Sequence, residues 1–160
     1  MQFHELFNMQ QNLDAYIEKN QQVQKDMFQE KGLALLVELA ELANETRCFK
    51  YWSSKGASKR EVLLEEFVDS IHFMLSLGNM NGYRLENWPA EEGEADLTVL
   101  FIEATARISQ FIAEPTKQHY LAIWQVYAQL AYNLHFSVTD VLKAYVEKNE
   151  KNYERQKSGY

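Results

Sequence analysis

Cysteine, proline and glycine are scarce in this 160-residue chain, which has one, two and six of them. So few turn-forming residues argue against a β-sandwich, whereas a largely apolar, aromatic-rich chain of this length favours one globular helical domain over residues 1–160. The single cysteine, Cys48, has no partner for an internal disulfide, and the N-terminus lacks the basic and apolar regions of a signal peptide. We therefore expect a cytoplasmic protein.

Positive charge is also in short supply, since the formal net charge is −7 at pH 7. Binding duplex nucleic acid requires a broad basic surface, so we expect no nucleic-acid partner. No apolar run approaches the roughly 20 residues that cross a bilayer, which argues against a membrane partner. The basic residues that are present gather between Lys143 and Lys157. They leave room for a small anionic ligand.

Hydrophobic periodicity predicts an all-α fold, a compact bundle of about six helices. The predicted segments run from Leu6 to Ile17, from Lys25 to Trp52, from Ser58 to Gly78, from Asp96 to Ala113, from Lys117 to Phe136 and from Ser137 to Asn152. Capping residues support three of these helix starts. Ser58 with Glu61, and Ser137 with Asp140, match the capping-box pattern, and Asp96 can cap the fourth helix.

The fifth predicted helix carries more apolar surface than one small bundle requires. Leu121, Trp124, Tyr127 and Leu130 follow one another within it at helical spacing. A hydrophobic face of this kind favours self-association, and two-fold symmetry is the commonest arrangement of soluble oligomers. We therefore expect the chain to self-associate through this helix.

Carboxylates interrupt the apolar pattern of the second and third helices. Glu38, Glu41 and Glu45 share one helical stripe, and no Lys or Arg follows four residues later to neutralise them. Glu66 and Asp69 share a face of the third helix. If the two helices pack antiparallel, the side chains of Glu38, Glu41, Glu66 and Asp69 converge, and hard oxygen ligands favour Mg²⁺ or Mn²⁺. The alternative is that these acids form solvated helix faces, where most charged residues lie.

His72 completes an Asp69-x-x-His72 pattern, which also occurs in di-iron carboxylate bundles. Such a centre needs a second acid-x-x-His pair, and none of the other three histidines has Asp or Glu three residues before it. We therefore interpret His72 as a packed or hydrogen-bonding histidine.

A cationic and polar face is predicted near the C-terminus. Lys148, Asn152 and Arg155 lie at i, i+4 and i+7, so a helix presents them on one side. An ammonium, a carboxamide and a guanidinium group suit phosphate oxygens and the edge of a base. The alternative is a frayed, solvated terminal helix.

These patterns together resemble a known superfamily. Glu38-x-x-Glu41, followed after 24 residues by Glu66-x-x-Asp69, resembles the metal motif of all-α nucleoside-triphosphate pyrophosphatases, which include MazG-like enzymes and dimeric dUTPases. The segments VELAELANETRCFKYWSSK, EEFVDSIHFMLSLG and KNEKNYERQKSGY are similar to motifs of dimeric dUTPases, particularly bacterial and phage forms. The resemblance covers roughly Leu6–Asn81 and Thr139–Tyr160, whereas between about Gly82 and Phe136 only helical character matches.

The resemblance implies a homodimeric, Mg²⁺-dependent enzyme that converts the deoxyuridine nucleotide dUTP, and also dUDP, to dUMP with a metal-activated water. It implies that Mg²⁺, or Mn²⁺, is held by Glu38, Glu41, Glu66 and Asp69, and that Glu38 or Glu41 assists as general base. The residues implied to contact the phosphates are Lys148, Arg155 and Tyr160. Those implied to contact the nucleoside are Gln10 or Gln11, Trp52, Phe73, which would disfavour a 2′-hydroxyl, and Asn152.

The first helix departs from the family pattern of Leu-Gln followed shortly by Asn. Here the text is Met9-Gln10-Gln11-Asn12-Leu13-Asp14, so either glutamine can be the amide that contacts uracil, and Asp14 stands where other members have Asn. Two alternatives therefore remain at this stage. One is a helical pyrophosphohydrolase that acts on dCTP or another nucleotide, and the other is a non-enzymatic acidic interaction module.

Overall fold

A computed structural model describes residues 1–160 as six α-helices without strands. The helices are α1 (Glu5–Asn20), α2 (Phe28–Thr46), α3 (Arg60–Asn81), α4 (Leu97–Ala113), α5 (Lys117–Asn133) and α6 (Val138–Lys157). This confirms the predicted all-α bundle. None of the six helices combines the length and the apolar composition that crossing a bilayer requires.

The second helix is shorter at both ends than the predicted segment from Lys25 to Trp52. It begins at Phe28, whose backbone N–H donates to Asp26 Oδ1 at 2.7 Å. It ends at Thr46 because Arg47 adopts the left-handed conformation, with φ of 59°. The residues that follow Arg47 therefore belong to the loop between α2 and α3, and this loop carries Trp52.

The predicted capping box at the start of α3 is wrong. The Ser58 hydroxyl donates to the Glu45 carboxylate instead, and α3 begins at Arg60 without a side-chain cap. The helix also continues past Gly78 to Asn81, where Gly82 ends it with φ of 72°. Gly78 is a point of close packing, because a Cβ there would overlap the Tyr120 hydroxyl.

The other two capping predictions are confirmed. Asp96 accepts the Val99 N–H at 3.0 Å, and Ser137 forms the reciprocal capping box with Asp140. The fifth helix stops at Asn133 rather than Phe136, since His135 adopts a positive φ of 61°. The sixth helix extends beyond Asn152 to Lys157, so it carries the whole predicted cationic face.

Helix α3 is the central element of the bundle. It packs against α1, α2 and α6, while α4 packs against α2 and α5. An aromatic cluster closes one end of the core, with the Phe3 ring 5.1 Å from Trp124 and 5.5 Å from Trp88 in edge-to-face contacts. Such pairs contribute about 0.5–1.5 kcal/mol each beyond the burial of their area. They fix the N-terminal residues and the long α3–α4 loop onto the core.

The surface predicted for self-association is not on α5. Trp124, Tyr127 and Leu130 are fully buried in the core of this chain, because α5 packs against α4 and faces α3 through Tyr120. Four of the exposed large apolar side chains lie on the packed helices α2 and α4, with Ile102 66% exposed. They are Leu33, Val37, Val99 and Ile102.

Candidate active site

Helices α2 and α3 bring acidic side chains together at their interface. One carboxylate oxygen from each of Glu38, Glu66 and Asp69 lies within 4.8 Å of the others. Oε2 of Glu38 and Oε2 of Glu66 are buried and have no hydrogen-bond partner. Buried polar atoms are almost always paired in folded proteins, so two such oxygens side by side fit a position for a cation.

The electrostatics of this acidic cluster follow from burial and like charge. Burial, followed by the negative charges of Asp69 and Glu41, raises the pKa of Glu38 to about 8. Burial, again followed by Asp69 and Glu41, raises the pKa of Glu66 to about 7. Glu41 is exposed and lies outside the close triad, but its charge acts on both. The four residues singled out in the sequence therefore form one electrostatic unit.

Lys148 supplies an internal counter-ion to this cluster. Its Nζ lies 3.0 Å from Asp69 Oδ1 and 3.1 Å from Glu65 Oε1, and its side chain is only 9% exposed. Burial opposes its charge, yet the hydrogen bonds to Asp69 and Glu65 raise the pKa of Lys148. Sequence spacing did not identify Glu65 as its partner, because the pair depends on the packing of α6 against α3.

A cavity of about 320 Å³ opens beside the acidic cluster. A volume of this size suits a small-molecule site. Side chains of α1, α2, α3, α6 and the C-terminal tail line it. Eight of the predicted site residues are among them: Gln10, Glu38, Asp69, Phe73, Lys148, Asn152, Arg155 and Tyr160.

Four predicted site residues lie outside this cavity. Glu41 and Glu66 belong to the acidic cluster beside it. Gln11 is exposed, and its Oε1 accepts from Arg84 Nη2 at 2.7 Å, because one residue further along α1 points about 100° away from Gln10. Trp52 is 65% exposed in the α2–α3 loop and packs edge-on against Tyr51. The structure therefore brings Gln10 to the cavity and leaves Gln11 and Trp52 outside it.

Besides His72 and the apolar Leu13 and Ile17, three polar residues line the cavity that were not identified as site residues from the sequence: Asp14, Lys31 and Ser76. Asp14 Oδ2 accepts the Ser76 hydroxyl at 2.6 Å, and Lys31 Nζ lies 3.9 Å from the same oxygen. The signal was helical spacing. Asp14 lies four residues after Gln10 on α1, Lys31 lies seven residues before Glu38 on α2, and Ser76 lies seven residues after Asp69 on α3.

His72 is a buried hydrogen-bonding residue, as predicted. Its Nδ1 lies 2.7 Å from Gln10 Oε1, and its ring stacks on Tyr145 with centroids 4.2 Å apart. Burial, followed by the nearby charge of Lys148, lowers the pKa of His72 to about 3. The ring is therefore neutral at physiological pH.

The C-terminal tail lies along the edge of the cavity. The Arg155 guanidinium stacks over the Tyr160 ring at 5.3 Å. Gln21 Nε2, just beyond the end of α1, donates to the Tyr160 carbonyl at 3.2 Å and to Gln156 Oε1 at 3.1 Å. These contacts hold the two predicted phosphate ligands of the tail beside Lys148 and the acidic cluster.

Comparison with known proteins places this arrangement in a family. A model of a family described as dUTPase matches residues 2–160, which includes the central region where the sequence motifs gave no guidance. Comparison with curated protein sequences gives no match. The matched segment contains the acidic cluster, the cavity and the tail in one bundle. The chain therefore belongs to the dUTPase family of the all-α, dimeric type, and it is a dUTP diphosphatase.

Proposed function

We propose that residues 1–160 form one catalytic domain that hydrolyses dUTP, and also dUDP, to dUMP in a Mg²⁺-dependent reaction. The observation that carries this proposal is the pair of buried, unpartnered oxygens, Glu38 Oε2 and Glu66 Oε2, within a three-carboxylate cluster. Buried polar atoms are rarely left unpaired in folded proteins, and this cluster adjoins a cavity that Lys148 and Arg155 also line.

The residues present fit a hard divalent cation. All candidate ligands are carboxylate oxygens, without cysteine or a set of histidines, and this donor set suits Mg²⁺ or Mn²⁺. Glu38, Glu41, Glu66 and Asp69 would hold the ion. When bound, it would supply a more acidic water at neutral pH and would offset the charge of the departing pyrophosphate.

The protein side of the reaction is proton transfer and positioning. Glu38 or Glu41 would accept a proton from the attacking water as general base. The water oxygen forms a bond to phosphorus and the phosphoanhydride bond between the α- and β-phosphates breaks. The electron pair of that bond leaves with pyrophosphate from dUTP, or with phosphate from dUDP. Burial and the neighbouring carboxylates raise the pKa of Glu38 to about 8 in the metal-free protein, and a bound cation would lower it and favour the ionised form that can accept a proton.

The cationic side of the cavity suits the phosphate chain. Lys148, Arg155 and Tyr160 lie together there, and each charge-assisted hydrogen bond to a phosphate oxygen contributes about 1.5–3 kcal/mol. Lys148 pairs with Asp69 and Glu65 in the protein alone, so a cation that binds Asp69 would leave the ammonium group available to a phosphate oxygen.

The same cavity also carries groups that suit the nucleoside. Gln10 and Asn152 offer carboxamides to the base edge, and Phe73 offers an apolar wall that would disfavour a 2′-hydroxyl. Of the two glutamines, the position of Gln10 in the cavity wall supports it over Gln11. Trp52 remains a predicted nucleoside contact, and reaching the base would require a movement of the α2–α3 loop or a second copy of the chain.

A homodimer is proposed on a different surface from the one expected at first. The α2–α4 face, defined by Leu33, Val37, Val99 and Ile102, exposes four large apolar side chains. Exposed apolar side chains on two helices that pack together favour a protein–protein interface. A cytoplasmic location is proposed because Cys48 is a free thiol, which suits a reducing compartment.

The decisive experiment is a product assay over a panel of nucleotides. Protein stripped with EDTA is supplied with Mg²⁺ and with dUTP, dUDP, dCTP, dTTP or UTP, and nucleotide products are identified by chromatography. We expect dUMP from dUTP and dUDP, a strong preference over the other three, and no turnover in excess EDTA. Equal rates with dCTP would contradict uracil selectivity, and undiminished turnover in EDTA would contradict the metal requirement.

A further inference from the structure

Gln10 is the centre of a buried hydrogen-bond network at the inner wall of the cavity. Its side chain is only 4% exposed, and its Oε1 lies 2.7 Å from His72 Nδ1 and 2.8 Å from the Tyr145 hydroxyl. Its Nε2 lies 2.8 Å from Asp14 Oδ1. The three neighbours of this carboxamide therefore come from three helices: His72 from α3, Tyr145 from α6 and Asp14 from the next turn of α1.

The two neighbours of Oε1 can both act as hydrogen-bond donors. His72 is neutral, and a carbonyl oxygen opposite Nδ1 requires that the ring proton be on Nδ1. The Tyr145 hydroxyl has Asn149 Nδ2 on its other side at 3.5 Å, which favours donation from the hydroxyl towards Gln10. In this arrangement Tyr145 on α6 and His72 on α3 donate hydrogen bonds, and the Gln10 carbonyl oxygen accepts both.

The reversed orientation of the carboxamide is unfavourable. It would place the amide N–H groups against the two donors and the carbonyl oxygen against Asp14 Oδ1, where two acceptors would face each other. The Ser76 hydroxyl already donates to the other oxygen of Asp14 at 2.6 Å, which holds that carboxylate in place. Gln10 is consequently restricted to one of its two orientations.

In this orientation Gln10 presents nitrogen to the cavity. One N–H of Nε2 goes to Asp14, and the second makes no hydrogen bond within the protein. A free N–H pairs with a keto oxygen of a base and not with an exocyclic amino group, which is itself a donor. Uracil has a keto oxygen at the position where cytosine has its amino group.

We propose that His72 and Tyr145 are positioning residues that fix Gln10 as a hydrogen-bond donor to the base, and thereby make the site prefer a keto base over an amino base. This inference rests on the proposed deoxyuridine nucleotide function. It assigns selectivity to two residues that touch the base only through Gln10. Removing either donor weakens the restraint on the carboxamide, so that the reversed orientation, which accepts from an amino group, becomes more populated.

The test compares variants that remove one donor each. Tyr145→Phe removes the hydroxyl and keeps the ring, and His72→Leu removes the Nδ1 donor. His72→Asn is the rescue variant, since its amide nitrogen can occupy a position close to Nδ1. Tyr132→Phe is the matched control, because Tyr132 is an exposed tyrosine on α5 outside the cavity.

Two readouts are measured for each folded variant. The first is binding of the α,β-imido analogues of dUTP and dCTP by calorimetry in the presence of Mg²⁺, which does not depend on turnover. The second is kcat and KM for dUTP and dCTP. We expect Tyr145→Phe and His72→Leu to lower the preference for the uracil nucleotide by roughly 10-fold or more, mainly through KM, because one oriented hydrogen bond is lost. His72→Asn and Tyr132→Phe should keep the preference.

An unchanged preference in Tyr145→Phe or in His72→Leu would overturn the inference, and either variant alone decides it if the other does not fold. A loss of kcat with both nucleotides and no change in their ratio would also overturn it, since that is the result expected of a merely structural role. Failure of the wild-type protein to hydrolyse dUTP or to bind its analogue would instead overturn the proposed function, and the inference with it.

Discussion

Lys148 on α6 and Asp69 on α3 form an ion pair in which Nζ lies 3.0 Å from Oδ1, although 79 residues separate them in the sequence. The pair places a fixed positive charge beside the acidic cluster. The other acids of that cluster, Glu38, Glu41 and Glu66, form no salt bridge. The lysine therefore acts as a partial substitute for a metal ion when none is bound. Its removal should affect the metal-free and metal-loaded proteins differently.

Lys148→Met should destabilise the metal-free protein by about 1–3 kcal/mol, because Asp69 loses its partner in a largely buried position. Added Mg²⁺ should recover most of this loss, since it restores positive charge to the cluster. Urea unfolding with and without Mg²⁺ measures both effects. The control is Lys151→Met, whose side chain is mostly exposed and 3.8 Å from Glu65, and which should change stability little. Equal effects of the two variants would contradict the role of Lys148.

The stability of the metal-free protein should fall as pH rises from about 6.5 to about 8. Glu38 and Glu66 keep their protons in the folded protein well above their ordinary value of 4.5, so unfolding in this range releases protons. His72 opposes the trend only in the lower part of this range, because its pKa is lowered to about 3 in the folded protein and the unfolded side chain has lost most of its proton by about pH 7.5.

The measurement is urea unfolding in EDTA at several pH values and one fixed protein concentration. Glu38→Gln and Glu66→Gln should each flatten the curve, whereas excess Mg²⁺ should raise stability most at the upper end, where it binds the ionised carboxylates. A stability that increases from pH 6.5 to pH 8 in EDTA would contradict the buried acidic cluster.

Glu66→Gln should reduce dUTP turnover by at least roughly 100-fold while the fold is kept, because a carboxylate ligand is lost and a neutral group of the same shape replaces it. Glu38→Gln should do the same. Steady-state rates and circular dichroism report the two quantities. Glu150→Gln, an exposed acid on α6, serves as the control. A Glu66→Gln enzyme with near-native rates would show that Glu66 is not a ligand.

Ile102→Glu should convert a dimer into a monomer, because it introduces a charge at the most exposed large side chain of the α2–α4 face. Light scattering at micromolar concentration gives the mass. Val138→Glu, at an exposed apolar position at the start of α6, should leave the mass unchanged. A monomer mass for the wild-type protein would refute the homodimer, and a dimeric Ile102→Glu would place the interface elsewhere.

Deleting Arg155–Tyr160 should weaken nucleotide binding by roughly 10- to 1000-fold, since charge-assisted contacts to phosphate oxygens are lost with Arg155. The core should stay folded because Val141 and Tyr145, which anchor α6, remain buried. Calorimetry with α,β-imido-dUTP reports affinity, and circular dichroism reports the fold. Lys157→Ala is the control for charge alone. Unchanged affinity in a folded truncation would show that the tail is a solvated terminus.

Local patterns were predictable from the sequence because their causes are local. The stripe of Glu38 and Glu41, the face of Glu66 and Asp69, and the caps at Asp96 and Ser137 all depend on spacing within one helix. The convergence of both acidic pairs followed from one assumption about how two neighbouring helices pack.

Features that depend on helix rotation or on distant partners were not predictable. Ser58 has the right spacing for a capping box, yet its hydroxyl reaches Glu45 on another helix. Gln10 and Gln11 are equivalent in the sequence, and only the rotation of α1 against α3 and α6 places one in the cavity. Hydrophobic periodicity shows that one face of α5 is buried, but it does not distinguish burial in the core of the same chain from burial against a second copy. The apolar stripe of α5 was therefore interpreted as an interface.

Gly78 carries a consequence for how this sequence can vary. The space beside it is filled by the Tyr120 hydroxyl, which donates to the Met74 carbonyl at 2.7 Å, and by the backbone carbonyl of Tyr83. In a random library selected for function, position 78 should therefore return glycine alone, whereas Gly56 and Gly93, which have open space around them, should return many residues. The helix that carries Glu66, Asp69 and His72 therefore packs against α5 at a position where only glycine fits.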